Sequence, residues 1–149
     1  MLFLVLLGYF FLMQNSFPKK EHLYGVKAVE TLHTQGKAFI GYPFRVVFLM
    51  VSEEDETIAA RAMVSVSKKR FKSAVARNRI KRLIRESYRL NKPVLVQFAT
   101  ENKLNIHLSF QYVSNEMPTF GDLNEKMNRS LDKLIKIISN LTPSDNAYD

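Results

Sequence analysis

The sequence predicts an α+β fold, in which a small mixed sheet of about four strands is packed with helices. Two apolar patterns support this prediction, and they alternate along the 149 residues. Segments rich in β-branched or alternating apolar residues predict strands, whereas apolar residues three and four apart predict helices. Their order is helix, strands, helix, strand, helix, which is typical of one domain with helices on a sheet.

The first half is predicted to hold one helix and two or three strands. Helical spacing of apolar residues between Pro18 and Gly36 predicts the helix. Residues 44–51 (FRVVFLMV) and 61–67 (RAMVSVS) predict strands, and residues 38–42 are a candidate for an earlier strand.

The second half is predicted to hold two helices and a strand. Residues 73–90 predict a basic amphipathic helix that Pro93 interrupts, with a further turn or two after it. Residues 104–113 alternate apolar and polar residues and predict a half-buried strand. The last helix is expected to start after an N-cap at Thr119. Its core-facing stripe is Phe120, Leu123, Met127, Leu131, Leu134, Ile138 and Leu141.

Both ends of the chain are expected to lie outside the domain. Residues 1–12 carry no charge, but a bilayer span takes about twenty residues, and a secretory signal needs a basic start and a cleavage site. We interpret them as an apolar extension upstream of the true start at Met13, with a membrane-associating segment as the alternative. The domain is predicted over residues 13–142, followed by a frayed tail at 143–149.

The composition excludes several kinds of active site. The chain has no cysteine, so a disulfide, a cysteine nucleophile and a cysteine-ligated metal are excluded. Its three histidines are widely separated, and it has no glycine-rich phosphate loop or nucleophile elbow. We expect no catalytic residue, no metal site, no small-molecule substrate and no cofactor bound by the protein alone.

Positive charge is concentrated in one segment. The whole chain carries a formal charge of +8, whereas residues 68–92 hold eleven basic residues against Glu86 and carry +10, so the remainder is −2. A slightly acidic body with one strongly basic helix predicts a polyanionic partner. A merely solvated helix face is the alternative, which this concentration of charge disfavours.

At about 100° per residue, the basic helix divides into three faces. The apolar face, predicted to dock on the sheet, contains Ala76, Ile80, Leu83, Ile84, Ser87 and Leu90. A second face contains Arg77, Asn78, Lys81, Arg85 and Tyr88, and a third contains Arg79, Arg82, Glu86 and Arg89. Dense arginine suits phosphate binding, and Asn78 and Tyr88 are candidates to contact exposed bases.

The order of residues resembles a known family. The run Phe71-x-x-Ala74-x-x-Arg77-Asn78-Arg79-Ile80-Lys81-Arg82-Leu83-Ile84-Arg85 resembles the signature of bacterial ribonuclease P proteins, which centres on the R-N-R triplet. The preceding VSVSKKR (64–70) is similar to that family's lead-in, and a weaker resemblance extends over residues 18–141. Residues 36–48, with YPFRVV at 42–47, are similar to forms from the Bacteroidetes.

This resemblance implies a left-handed βαβ crossover around the R-N-R helix, in a two-layer sandwich similar to that of ribosomal proteins. It also implies an enzyme that removes the 5′ leader of precursor tRNA by endonucleolytic hydrolysis. The RNA subunit would hold Mg²⁺ and perform the reaction. The protein would bind that catalytic RNA and the precursor tRNA in the cytoplasm, without stable membrane association.

The resemblance implies residue roles by position. The leader would be contacted by Arg77, Asn78, Lys81, Arg85 and Tyr88. The RNA subunit would be contacted by Lys68, Lys69, Arg70, Lys72, Arg79, Arg82 and Arg89. Val29 and His33 stand on the first helix where the family's cleft has aromatic residues. The core is the expected place of Phe44, Phe48 and Phe110.

Two other function classes stay open. A general RNA-binding or ribosome-associated module with this fold would bind unrelated structured RNAs without promoting cleavage. A DNA-binding helix protein is the third class, although no helix-turn-helix pair precedes the basic helix.

Overall fold

The computed structural model describes residues 2–5, 16–52, 55 and 57–146, with side chains as far as Leu141. Apart from a helical stretch at residues 2–5, three helices within the described residues pack on a four-stranded sheet, which confirms the predicted α+β class. The helices are α1 (Val26–Gln35), α2 (Ala74–Glu101) and α3 (Phe120–Asn146), and a single 3₁₀ turn spans Lys19–Glu21. The strands are β1 (Lys37–Gly41), β2 (Phe44–Val51), β3 (Ala60–Val66) and β4 (Asn105–Tyr112).

The ends of the chain are described in part. Of the predicted apolar extension, residues 1 and 6–12 lie outside the described residues, and so do residues 147–149 of the predicted tail. Helix α3 continues to Asn146, beyond the stripe that predicted it.

The sheet is mixed, with the strand order β1-β2-β4-β3. The β1–β2 and β2–β4 pairs are antiparallel, and the β3–β4 pair is parallel. The candidate strand at residues 38–42 is therefore real and forms the edge of the sheet as β1. The turn between β1 and β2 contains a cis peptide bond before Pro43.

The connection from β3 through α2 to β4 is left-handed, as predicted. Consider the sheet seen from the side covered by α2 and α3, with β4 running upward. In this view, an L-residue of β4 whose side chain points toward the viewer directs its N–H and C=O groups to the right. Ile106 packs in the core with α2, and its N–H donates to the Ala59 carbonyl at 2.9 Å, so β3 lies right of β4. The chain therefore crosses in front of the sheet to a strand on the left, opposite to the usual hand.

The main core lies between the sheet and helices α2 and α3. Alternate residues of β4, including Leu108 and Phe110, face these helices and are fully buried. The predicted stripe of α3 is confirmed from Leu123 to Ile138, since its members there are also fully buried. Burying each such side chain stabilises the fold by roughly 1.5–3 kcal/mol.

Helix α1 starts later than predicted. Gly25 has φ 98°, a conformation that interrupts a helix and favours glycine. The chain before it runs beside β3 instead, where the Leu23 N–H donates to the Ala62 carbonyl at 2.9 Å. Leu32 of α1 packs on Val47, on the sheet face opposite α2 and α3, so α1 adds a partial third layer.

Helix α2 runs without a break through Pro93, so the predicted interruption is wrong. A proline lacks the backbone N–H of a helical residue, and its ring crowds the carbonyl four residues earlier. This cost is outweighed by the buried residues that follow, including Leu95 and Ala99. Asn91 also ties this half of α2 to α3, because its amide donates to Asn124 Oδ1 at 2.7 Å.

Candidate nucleic-acid interface

The basic segment begins in a turn that joins β3 to α2. The backbone N–H groups of Arg70 and Phe71 both donate to the Ser67 carbonyl, at 3.3 and 3.2 Å. Ser73 caps α2, since its hydroxyl accepts a hydrogen bond from the Ala76 N–H at 3.3 Å. Four residues of this segment that were predicted to contact the RNA subunit are exposed to solvent: Lys68, Lys69, Arg70 and Lys72.

Arg77, the first residue of the R-N-R triplet, stabilises this turn. Its guanidinium donates to the carbonyl oxygens of Phe71 and Lys72, at 2.8 and 2.9 Å. Arg70 donates to Asn115 Oδ1 at 3.0 Å, which attaches the turn to the loop after β4. Arg77 is half-buried, so this predicted leader contact also has a structural role.

The buried face of α2 is rotated relative to the predicted one. Leu90, expected on the apolar face, is 41% exposed, whereas Tyr88 and Lys92 are 1% and 2% exposed. The cause is the second half of the helix, where Leu95 is fully buried and lies about two turns after Tyr88 on the same side. The packing of the whole helix sets its orientation, and the first half alone was not enough to predict it.

Tyr88 lies in the core, so its predicted stacking on an RNA base is wrong. Its ring centroid is 5.1 Å from that of Phe17 and 5.4 Å from that of Phe110. Burial, with a smaller effect of the Glu21 charge, raises the pKa of the Tyr88 hydroxyl. That hydroxyl has no hydrogen-bond partner among the residues that the structure describes.

An open groove of about 500 Å³ lies between α2 and the segment that precedes α1. We call it the arginine groove, and it is lined by Phe17, His22, Asn78, Arg82, Arg85, Glu86 and Arg89. It brings two predicted leader residues, Asn78 and Arg85, together with two residues predicted to contact the RNA subunit, Arg82 and Arg89. Arg79 is exposed and Lys81 is half-buried, and neither lines the groove.

Two arginines of the groove have no partner among the residues that the structure describes. Within the described ranges, the side chains of Arg82 and Arg85 make no hydrogen bond or ion pair, and neither does that of Asn78. Arg89 differs, because its Nε and Nη2 donate to the two carboxylate oxygens of Glu86 at 3.1 and 2.7 Å. These hydrogen bonds lower the pKa of Glu86. The groove thus presents two guanidinium groups that are available to phosphate.

The second wall of the groove is aromatic, and the sequence did not assign it to the site. The rings of Phe17 and His22 stack with centroids 3.9 Å apart and an interplanar angle of 14°. Lys92 lies 5.9 Å from the Phe17 ring centroid and forms an ion pair with Glu21. No spacing signal could have revealed this wall, because it contacts α2 through Lys92, which lies over the Phe17 ring and follows Glu21 by 71 residues.

The opposite face of the sheet carries polar side chains near α1. Arg45 on β2 donates to Gln111 Oε1 on β4 at 3.0 Å. His33 on α1 is exposed, and its Nδ1 lies 2.8 Å from the Val29 carbonyl oxygen.

The three phenylalanines that were expected in the core are buried there. Phe44, Phe48 and Phe110 are at most 2% exposed, which confirms that expectation.

Neither a metal-binding cluster nor a membrane span is found in the described ranges. No three histidine, aspartate or glutamate side chains there come together to hold a metal ion. No described helix is both long enough and apolar enough to cross a membrane.

The chain is similar in sequence to proteins of one family. The Ribonuclease P family model matches residues 17–136, which include the whole arginine groove. A ribonuclease P protein component from Porphyromonas gingivalis (strain ATCC 33277) is 42% identical over 126 residues, covering 85% of this chain and 89% of that protein. One from Chlorobaculum tepidum is 40% identical over 86 residues, covering 56% of this chain and 55% of that protein.

A solved structure supports the fold. The Staphylococcus aureus RNase P protein matches with a TM-score of 0.50 and 23% sequence identity, covering 79% of this chain and 94% of that one. At that identity the likeness supports the architecture of sheet and helices. The Porphyromonas relatives agree with the Bacteroidetes resemblance predicted from residues 36–48.

Proposed function

The chain belongs to the ribonuclease P protein family, and on this basis we propose that it is the protein subunit of ribonuclease P. In this role it binds the catalytic RNA subunit and the 5′ leader of precursor tRNA. Binding promotes the endonucleolytic removal of the leader, which produces the mature 5′ end of the tRNA. The proposed place of action is the cytoplasm, where precursor tRNA is made.

The observation that carries this proposal is the exposed charge of Arg82 and Arg85 on α2, which have no partner among the described residues. Arg82 and Arg85 lie three residues apart, and like charges at this spacing destabilise a helix by roughly 0.2–0.5 kcal/mol per pair. The phosphates of a bound RNA offset that repulsion, and the planar guanidinium can donate two hydrogen bonds to one phosphate. Release of counterions from the RNA adds to the affinity.

We assign the two RNAs to different parts of the basic surface. The leader is contacted by Asn78, Lys81 and Arg85, and Arg77 supports them by holding the turn. The RNA subunit is contacted by Lys68, Lys69, Arg70, Lys72, Arg79, Arg82 and Arg89. Arg82 and Arg89 line the same groove as Asn78 and Arg85, so at the arginine groove a single RNA strand can contact residues of both sets.

In this proposal the RNA subunit hydrolyses the phosphodiester bond and holds most of the Mg²⁺. No catalytic step is assigned to a side chain of this chain, whose described residues contain no metal-binding cluster. The arginines instead reduce the repulsion between the phosphates of the leader and those of the RNA subunit. Lower repulsion strengthens the binding of precursor tRNA.

Reconstitution tests this function. The full chain is mixed with its cognate RNA subunit and a 5′-labelled precursor tRNA at low magnesium concentration. We expect cleavage at the mature 5′ end that is faster than with the RNA alone, and no cleavage by the protein alone. Lack of stimulation would contradict the subunit role. Equal affinity for unrelated structured RNAs without faster cleavage would indicate the alternative, a general RNA-binding or ribosome-associated module.

A further inference from the structure

We infer that the arginine groove binds a single unpaired nucleotide, with its base stacked on His22 and its phosphate held by Arg82 and Arg85. This inference rests on the proposed RNA-binding function and adds a specific site to it. The partner is defined by its chemistry: a flat aromatic base joined to a phosphate in single-stranded RNA.

The aromatic wall provides a surface on which a base can stack. One face of the His22 ring is covered by Phe17, and the half-buried His22 ring also lines the groove. Stacking of a base on an aromatic side chain is favourable for every base and requires that the base be unpaired and exposed.

The wall is held rigidly, which favours binding. Phe17 packs edge-on against the buried Tyr88 ring at 5.1 Å. It is also contacted by Lys92, whose ammonium lies over the ring and pairs with Glu21. A ring that is already fixed in its binding position loses little conformational freedom when a ligand stacks on it.

The remaining wall matches the rest of a nucleotide. Arg82 and Arg85 have no partner in the part of the chain that the structure describes, so both guanidinium groups can bind a phosphate. Asn78 offers an amide with two donors and an acceptor for a base edge or a ribose hydroxyl. The volume of about 500 Å³ lies in the range of about 300–1,000 Å³ for small-molecule pockets, which suits a nucleotide better than a double helix.

Binding of a modified oligonucleotide to the full chain tests this inference. The probe is a single-stranded hexaribonucleotide with one 2-aminopurine, compared with the same strand carrying an abasic residue at that position. We expect the wild-type chain to quench the 2-aminopurine fluorescence and to bind the abasic strand about tenfold more weakly. Equal affinity of the wild-type chain for the two strands would overturn the inference, and this comparison needs no variant.

Variants of His22 separate stacking from folding. His22→Phe keeps an aromatic face and should preserve the preference for the base, whereas His22→Leu keeps apolar packing on Phe17 and should abolish it. Thermal unfolding monitored by circular dichroism verifies that both variants are folded. A folded His22→Leu chain that retains the full preference would contradict stacking at this residue.

Variants of the arginines test the phosphate contact. Arg82→Ala combined with Arg85→Ala should weaken the binding of both probe strands by at least tenfold, because both strands carry the phosphate. Arg129→Ala on α3 removes one positive charge at an exposed position outside the groove and serves as the control for a loss of charge elsewhere on the surface. Unchanged affinity in the double variant would overturn the inference.

Competition identifies the source of the nucleotide, and cleavage separates the two claims. The leader-bearing precursor and the RNA subunit are each added to the probe complex, and the one that contributes the nucleotide displaces the probe. Displacement by neither RNA would overturn the inference. Stimulated cleavage without base-dependent probe binding would refute the nucleotide site alone. Absence of stimulation by the wild-type chain would refute the proposed function.

Discussion

Lys92 of α2 forms an ion pair with Glu21, which precedes it by 71 residues, and the two side chains are only 3% and 16% exposed. The same ammonium lies over the Phe17 ring. This buried pair therefore fastens the aromatic wall of the arginine groove to the helix that carries the arginines. Removing one partner of such a pair leaves a buried charge without compensation.

Replacing Lys92 by methionine should therefore destabilise the protein by about 2–4 kcal/mol, since the Glu21 carboxylate stays partly buried without its partner. Urea denaturation measures the change in the free energy of unfolding. The double variant Lys92→Met/Glu21→Leu should recover most of the loss, because neither charge is then buried. A single variant as stable as the wild type would show that the pair does not anchor the wall.

Replacing Tyr88 by phenylalanine should leave the free energy of unfolding unchanged or raise it by about 1 kcal/mol. The hydroxyl is buried and has no partner among the described residues, so its removal relieves a desolvation cost. Because the ring is not exposed, cleavage of precursor tRNA should be unaffected. A marked loss of RNA affinity in a stable Tyr88→Phe chain would show that the Tyr88 hydroxyl contributes to RNA binding.

Much of the fold could be predicted because strands and α3 depend on local apolar patterns. The alternation of Leu108 and Phe110 and the stripe from Leu123 to Ile138 each lie within one element. The start of α1 and the continuity of α2 were not predicted correctly. They depend on Gly25 adopting a positive φ and on core packing after Pro93, and neither effect can be derived from periodicity.

The site was predicted only as far as its charge. The concentration of arginine predicts an interface on α2, and it includes Arg82 and Arg85, which have no partner among the described residues. The sequence could not predict that Tyr88 turns inward, because the orientation of α2 is set by its second half. Nor could it associate Phe17 and His22 with the groove, since their neighbours on α2 lie far away in the chain.

Replacing Glu86 by glutamine should increase affinity for RNA by about fivefold at 0.1 M salt, because it removes the negative charge from the lining of the arginine groove. The hydrogen bonds from Arg89 lower the pKa of Glu86 below its usual value of 4.5, so Glu86 stays ionised between about pH 5 and pH 8. Wild-type affinity should therefore gain from protonation of Glu86 only as the pH falls below 4.5.

The same shift affects stability in acid. A carboxylate with a lowered pKa stabilises the fold above its unfolded pKa, and this contribution is lost as the pH falls through the folded pKa.

The matched control for the affinity prediction is Glu125→Gln, which removes an equal charge from α3. Equal affinities of wild type and Glu86→Gln across a salt series would contradict the proposed competition between Glu86 and phosphate.

Replacing Lys81 and Arg85 by alanine should weaken the binding of leader-bearing precursor tRNA more than that of mature tRNA. Both residues are assigned to the leader, and each phosphate contact contributes to affinity in a salt-dependent way. Filter binding of the reconstituted enzyme to the two RNAs, with Arg129→Ala as control, measures the difference. Equal losses on both RNAs would refute the leader assignment.

The most direct test of the central claim is single-turnover cleavage of precursor tRNA at low magnesium by the RNA subunit with wild-type, Arg82→Ala/Arg85→Ala or Arg129→Ala protein. If about five phosphates are neutralised, the logarithm of the affinity for precursor tRNA should fall with the logarithm of the salt concentration with a slope of about −4. In the double variant the magnitude of that slope should be smaller by about 1.5. We expect the wild type and Arg129→Ala to stimulate cleavage equally, and the double variant to lose at least tenfold of that stimulation. A double variant as active as the wild type at every salt concentration would contradict the claim that this protein acts through the arginine groove.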